Sequence, residues 1–186
     1  LGLPASARLI LNVGRFIPSK RQALLVDVAG QIAARRRDVY FVLIGAGPLQ
    51  AEVERAANTA GLSDIVRFVP AQPGIERFWL TADAFAFPSV SEGLPIVIIE
   101  AAAAGLPIVA YDIPGVREAA AVSSSATLLP LDATAEDWAS AIFDALARSP
   151  LSEADRLAMV ERFPFSIEAS IQSLKRLYGI QAPSNR

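Results

Sequence analysis

Two residue types are missing from the 186-residue chain, cysteine and histidine. The first absence removes disulfides, thiol nucleophiles and thiolate metal sites, and the second removes the commonest metal ligand and the commonest general base. Lysine is almost missing as well: of 17 cationic residues only Lys20 and Lys175 are lysines. Charge is sparse at 19% of the chain and nearly balanced at −2, so there is no basic stripe to track a phosphate backbone and nucleic acid is not expected as a partner. Long apolar runs are missing too. The nearest to one, Gly93 to Tyr111, is broken by Pro95, Gly105 and Pro107 and carries Glu100, which argues against a transmembrane segment. The opening stretch Leu1 to Ala7 has neither a basic start nor an apolar signal core, and Leu1 is not Met. We expect a piece of a longer protein, and with cysteine absent a cytoplasmic one. Any chemistry must fall to carboxylates, arginine, lysine, hydroxyls and backbone amides.

What is present is apolar material. Hydrophobic residues make up 53% of the chain, which supplies a core and excludes disorder, and the length suits one large domain. Arg8 to Val13 reads as a strand ending at Gly14, and Lys20 to Arg37 reads as a helix with Leu24, Leu25, Val28 and Ile32 on one face. Val39 to Ile44 is a second strand and Leu49 to Ala60 a second helix. Ile65 to Val69, Ala84 to Phe87, Pro107 to Tyr111 and Thr127 to Leu129 supply four more strands, each followed by a loop and a helix-compatible segment. Strands apolar on both faces and separated by helices predict a doubly wound α/β domain with a parallel sheet and right-handed crossovers. From Ala133 onward the pattern predicts only closing helices, at Ala135 to Arg148, Ser152 to Arg162 and Ser166 to Tyr178. In such a fold ligands sit outside the carboxyl ends of the strands. The loops to read are therefore Gly14 to Lys20, Gly45 to Pro48, Val69 to Gly74, Pro88 to Pro95 and Asp112 to Glu118.

Gly45-Ala46-Gly47-Pro48 follows a strand and opens a helix, but Gln50 stands where a dinucleotide fingerprint needs its third small residue. The other reading is a tight strand-to-helix turn with Pro48 at the first helical position. Gly14-Arg15 and Lys20 put two cations in one ligand-side loop, which suits a diphosphate or else two solvated charges. Ser91-Glu92-Gly93-Leu94-Pro95 leads into an apolar helix. Pro95 suits its first turn, and Gly93 would let an anion approach the free amides there. Glu100 is the lone charge of that helix, and a buried carboxylate needs hydrogen-bond donors. Either ligand hydroxyls or loop amides would serve. Arg35-Arg36-Arg37 reads as a solvated helix cap, and Trp79, Trp138 and Phe163 to Phe165 as packing residues.

With seven residues between Glu92 and Glu100, the chain resembles the C-terminal, donor-binding domain of retaining glycosyltransferases of family 4. Those enzymes have the GT-B fold of two facing Rossmann-like domains. The likeness runs from about Arg8 to Glu118 and more loosely to Tyr178. Its most specific element is E-x7-E, here Glu92 to Glu100, and Gly14-Arg15 with Lys20 is similar to the family's G-R-x4-K element. Gly45-Ala46-Gly47-Pro48 looks like its G-x-G-P turn.

The resemblance implies that Arg15 and Lys20 hold the diphosphate of a nucleotide-sugar as leaving group. It implies that the amides of Gly93 and Leu94 assist, that Glu100 accepts from the ribose hydroxyls, and that Glu92 faces the transferred sugar. The donor site would then comprise Gly14, Arg15, Lys20, Gly45, Val69, Glu92, Gly93, Leu94, Pro95 and Glu100, with Val69 near the base and with Arg15, Lys20 and Glu92 in the catalytic roles. No cofactor or metal is implied. The segment Asp112 to Glu118 is similar to the family's D-x-G-G-x-x-E loop except that Pro114 replaces its first Gly, so that loop's donor contact is not carried over. The acceptor-binding N-terminal domain of the family has no counterpart in this chain, which would be half of an enzyme, with any peripheral membrane contact made through the other half. Two rival readings are a nucleotide-sugar epimerase on the same fold and a nucleotide-binding module without turnover.

Overall fold

The six apolar runs form β1 (Arg8–Val13), β2 (Val39–Ile44), β3 (Val66–Val69), β4 (Ala84–Phe87), β5 (Ile108–Tyr111) and β6 (Ala126–Leu129). In the computed structural model, which describes residues 2–148, 151, 153–161 and 166–178, every ladder among the described residues is parallel. The order is β3-β2-β1-β4-β5-β6, so the chain winds outward from β1, returns beside it as β4 and winds out the other way. This is the predicted doubly wound, Rossmann-like sheet. β5 starts after Pro107, which has no N–H to give to a ladder.

The seam between the two halves is short. β1 and β4 share only the register pairs Ile10↔Ala84 and Leu11↔Phe85. Side chains continue the stitching where the ladder stops: Asp83 accepts from the Leu9 amide at 2.7 Å, and the buried Asn12 donates from Nδ2 to the Ala86 carbonyl at 2.8 Å. Beyond Asn12 the two strands lead into separate loops.

The helices are α1 (Gln22–Ala33), α2 (Gln50–Thr59), α3 (Glu76–Thr81), α4 (Ile96–Ala103), α5 (Pro114–Ala120), α6 (Ala135–Ala147), α7 (Glu153–Glu161) and α8 (Ile167–Leu177). α1 is shorter than predicted at both ends. Pro18–Lys20 forms a single 3-10 turn, and Arg21 then turns left-handed (φ 48°, ψ 37°) before the helix begins. At the other end Arg35, Arg36 and Arg37 lie beyond the helix and do not cap it. Arg35 instead pairs with Glu136, and Arg36 with Asp38, whose carboxyl it holds down at about 2. Pro48 likewise precedes α2 and is not its first residue; Leu49 takes the N-cap place, its amide bonded to the Phe16 carbonyl at 3.1 Å.

The core lies where these helices meet the sheet. Ile10, Leu11, Phe41, Leu43, Phe85, Phe87, Val109 and Tyr111 are all at most 1% exposed. Trp138 of α6 meets Tyr111 edge-on with ring centroids 5.0 Å apart, and Trp79 of α3 meets Phe85 at 5.1 Å, so both tryptophans pack as expected. Phe163 to Phe165 lie outside the described residues. The sheet with α1 to α6 forms one compact unit, Leu1–Pro150, and α7 and α8 belong to a second, Leu151–Arg186. Among the described residues no helix is long and apolar enough to cross a membrane.

Candidate functional site

The carboxyl ends of β1, β2 and β3 are tied together by backbone. The Gly14 amide donates to the Ile44 carbonyl at 2.9 Å, and the Gly45 amide to the Val69 carbonyl at 3.0 Å. This close approach is what the glycines permit: a Cβ on Gly45 would stand 2.0 Å from the Gly14 carbonyl oxygen, and one on Gly47 2.4 Å from that of Phe16. The Gly45 to Pro48 segment is therefore the tight turn, built to receive the loop after β1. Beside it opens a cleft of about 480 Å³ bounded by Gly14, Arg15 and Gly45 on one side and by Ala71, Gln72 and Ile75 on the other. Arg15 is exposed, and its guanidinium has no hydrogen-bond or ion-pair partner among the described residues. Its carbonyl is held by the buried Gln22, which donates from Nε2 at 2.9 Å.

Lys20 leaves the same loop in another direction. Its stem passes Gly14, its ammonium lies 4.8 Å from the centre of the Phe87 ring, and it pairs with Oε1 of Glu92. The two side chains are only 18% and 14% exposed, so the pair is shielded from water and screened less than a surface pair. Ser89, fully buried, donates to the same carboxylate oxygen, and the Val90 amide donates to the Ser19 carbonyl at 2.9 Å. The loops after β1 and β4 are thus closed on each other across the point where the strand order reverses, the place where an open α/β sheet offers a crevice.

Past Glu92 the chain opens. A Cβ at Gly93 would meet nothing within 4 Å, and Leu94 is 44% exposed. Pro95 is the N-cap of α4 and not part of its first turn as predicted, because its ψ of 103° is extended. No side chain caps this end, so the first amides of α4 stay available. Glu100 departs further from expectation. It is exposed, not buried, and makes no hydrogen bond or ion pair among the described residues. α4 buries Ile98, Ala101 and Ala102, whereas Ile96 and Glu100, four residues apart, share the face turned outward. Partial burial, and after it the Glu76 carboxylate, raises the Glu100 pKa above its ordinary value.

The loop after β5 folds as the start of a helix. Pro114 occupies the first turn of α5, where its missing N–H costs nothing, and Gly115 follows. A Cβ on Gly115 would come within 1.9 Å of the Gly93 carbonyl oxygen and 2.6 Å of that of Glu92. Of the two glycines in the pattern this segment is similar to, the one retained is the one that lets α5 abut the Glu92-Gly93 backbone. Asp112 and Arg117 pair at the surface at 2.8 Å, and Arg117 lowers the Asp112 pKa.

The predicted residues thus fall into three groups. Gly14, Arg15, Gly45 and Val69 gather where the first three strands end, Lys20 joins Glu92 at the seam, and Gly93, Leu94 and Pro95 form the uncapped approach to α4. Glu100 touches neither cation. Sequence reasoning missed Ser89, Phe87 and Gly115, although a serine three residues before a carboxylate in a short loop is a readable sign of a local bond. Among the described residues no group of three or more acidic side chains could hold a metal ion.

Known proteins share this fold. The chain is 34% identical over 186 residues to the D-inositol 3-phosphate glycosyltransferase of Mycobacteroides abscessus, covering 96% of this chain and 40% of that protein. Two solved structures share the fold at 20% identity. WaaG, a glycosyltransferase involved in lipopolysaccharide biosynthesis, superposes with a TM-score of 0.76 over 96% of this chain and 49% of its own. HepE of Anabaena, solved in complex with UDP and glucose, superposes with a TM-score of 0.73 over 95% and 49%. The chain spans less than half the length of the curated relatives it matches. Residues 1–159 match the family model described as glycosyl transferases group 1, and the chain accordingly belongs to that family.

Proposed function

We propose that this chain is the donor-binding part of a glycosyltransferase that moves a sugar from a nucleoside diphosphate to an acceptor with retention of configuration. The observation that carries the reading is the meeting of Lys20 and Glu92 across the reversal of strand order, flanked by the free Arg15 and by the uncapped amides of α4. A diphosphate laid over this crevice takes charge-assisted bonds from Arg15 and Lys20 and amide bonds from Gly93 and Leu94. These donors are set before the reaction, so they neutralise the charge that develops on the leaving group. Glu92, released in part from Lys20 by the incoming anion, faces the transferred sugar. Glu100 accepts from the ribose hydroxyls, which agrees with its having no protein partner, and the loop from Val69 lies against the base. The roles given to these side chains require no metal. The relatives named above support the transfer of a sugar as the reaction class.

Calorimetry with uridine, guanosine and adenosine diphosphates tests the reading. A hydrogen bond to a charged carboxylate contributes about 1.5–3 kcal/mol, so Glu100→Ala weakens the best-bound diphosphate about ten- to a hundredfold. Unchanged affinity for all three would overturn the assignment of Glu100.

A further inference from the structure

We infer that Ser89 is a positioning residue: its buried hydroxyl, together with Lys20, occupies one oxygen of Glu92 and leaves the other aimed at a hydroxyl of the transferred sugar. The inference rests on the reading that Glu92 faces that sugar. Ser89 is 0% exposed, and a buried hydroxyl needs a partner. Three acceptors are at hand, the Ser19 carbonyl 3.1 Å away, the Ser91 carbonyl at 3.5 Å and Glu92 Oε1, but a hydroxyl has a single proton to give. The Ser19 carbonyl already accepts from the Val90 amide, whereas the carboxylate is charged and forms the stronger bond. The proton therefore goes to Glu92.

Lys20 donates to the same Oε1, and its ammonium is held over the Phe87 ring. Oε2 has no partner among the described residues, yet the Glu92 side chain is only 14% exposed. A carboxylate fixed at one oxygen and vacant at the other is a preorganised acceptor, needing no reorientation when a sugar hydroxyl arrives. Lys20 is expected to share its charge with the diphosphate, and Ser89 is then the anchor that remains on Glu92. Ser89→Ala removes that anchor without orphaning the Ser19 carbonyl, so a purely structural role would move neither sugar recognition nor folding by much.

The test is calorimetry on the full chain with uridine, guanosine and adenosine diphosphates and their glucose conjugates. For the best-bound pair, the ratio of the diphosphate Kd to the conjugate Kd isolates the contribution of the sugar. Ser89→Ala should lower this ratio about five- to tenfold, with diphosphate affinity kept within about twofold. Glu92→Gln should lower it at least as far. If Glu92→Gln loses the ratio and Ser89→Ala keeps it, Ser89 does not position Glu92, although Glu92 still faces the sugar. An unchanged ratio in Glu92→Gln, or no preference for a conjugate in the unaltered chain, overturns both. A loss of diphosphate affinity in Ser89→Ala matching the loss for the conjugate overturns the positioning role as well.

Discussion

Glu100 gains protons more readily in the folded chain than in the unfolded one, because its surroundings disfavour the charged form. In the window from its ordinary 4.5 up to the raised value the native state binds more protons, so stability falls as pH rises through it. Above that window the ionised carboxylate is a standing cost. Glu100→Gln should therefore raise the melting temperature at pH 7, and the gain should vanish below about pH 4, where both states are protonated. A melting series across that range checks the sign. On the proposed reading the same substitution weakens nucleotide binding, and the two outcomes together would mark the carboxylate as kept for a ligand at the expense of the fold. Its isolation was legible in the sequence, and its exposure was not. An eight-residue helix that is nearly all apolar has no periodicity to tell its inner face from its outer one, and here Ile96 went outward with Glu100.

At the scale of elements, the strands were readable to within a residue because each is an apolar run bounded by glycine, proline or charge. Helix starts were less so: Pro48 and Pro95 both stand just ahead of a helix, where sequence alone favours the first turn. Pro114 does enter that turn, and its neighbour carries the consequence. Gly115→Ala would force its methyl group into the Gly93 carbonyl, so it should unfold the chain at clearly lower denaturant and loosen the Glu92 loop. Gly93→Ala, whose methyl meets open space, should change stability by less than about 0.5 kcal/mol. α6 offers a simpler case. Thr134 caps it by accepting from the Asp137 amide at 3.2 Å, and Thr134→Ala should cost about 1 kcal/mol in equilibrium unfolding.

For the whole molecule, the alternation of strand and helix was enough to fix a parallel sheet with a crevice at its carboxyl edge, since the hand of the crossovers leaves few alternatives. What it could not show was which side chains meet across that crevice, because Ser19 and Lys20 lie 70 or more residues along the chain from Ser89 and Glu92 and join them only when β4 returns beside β1. On the proposed reading the 186 residues bind a nucleotide-sugar without turning it over. A diphosphate at 100 times its Kd should stabilise the chain by about 2.7 kcal/mol in a thermal-shift screen, while sugar transfer to any acceptor by this chain alone would refute the half-enzyme reading.

The short seam at the centre of the sheet has a kinetic corollary. With two register pairs and three side-chain links joining β1 to β4 and its lead-in, Arg8 to Asp83, the Leu9 amide to Asp83 and Asn12 to Ala86, against six pairs joining β1 to β2, the backbone seam is the thinner join of the two. Deuterium uptake followed by mass spectrometry should find the β4 to β6 half exchanging as one cooperative block, separately from β1 to β3, and Asn12→Ala should speed that block first. On the proposed reading a bound nucleotide touches loops from both halves, and it would then slow exchange on both sides at once and act as the clasp that the backbone itself supplies so thinly.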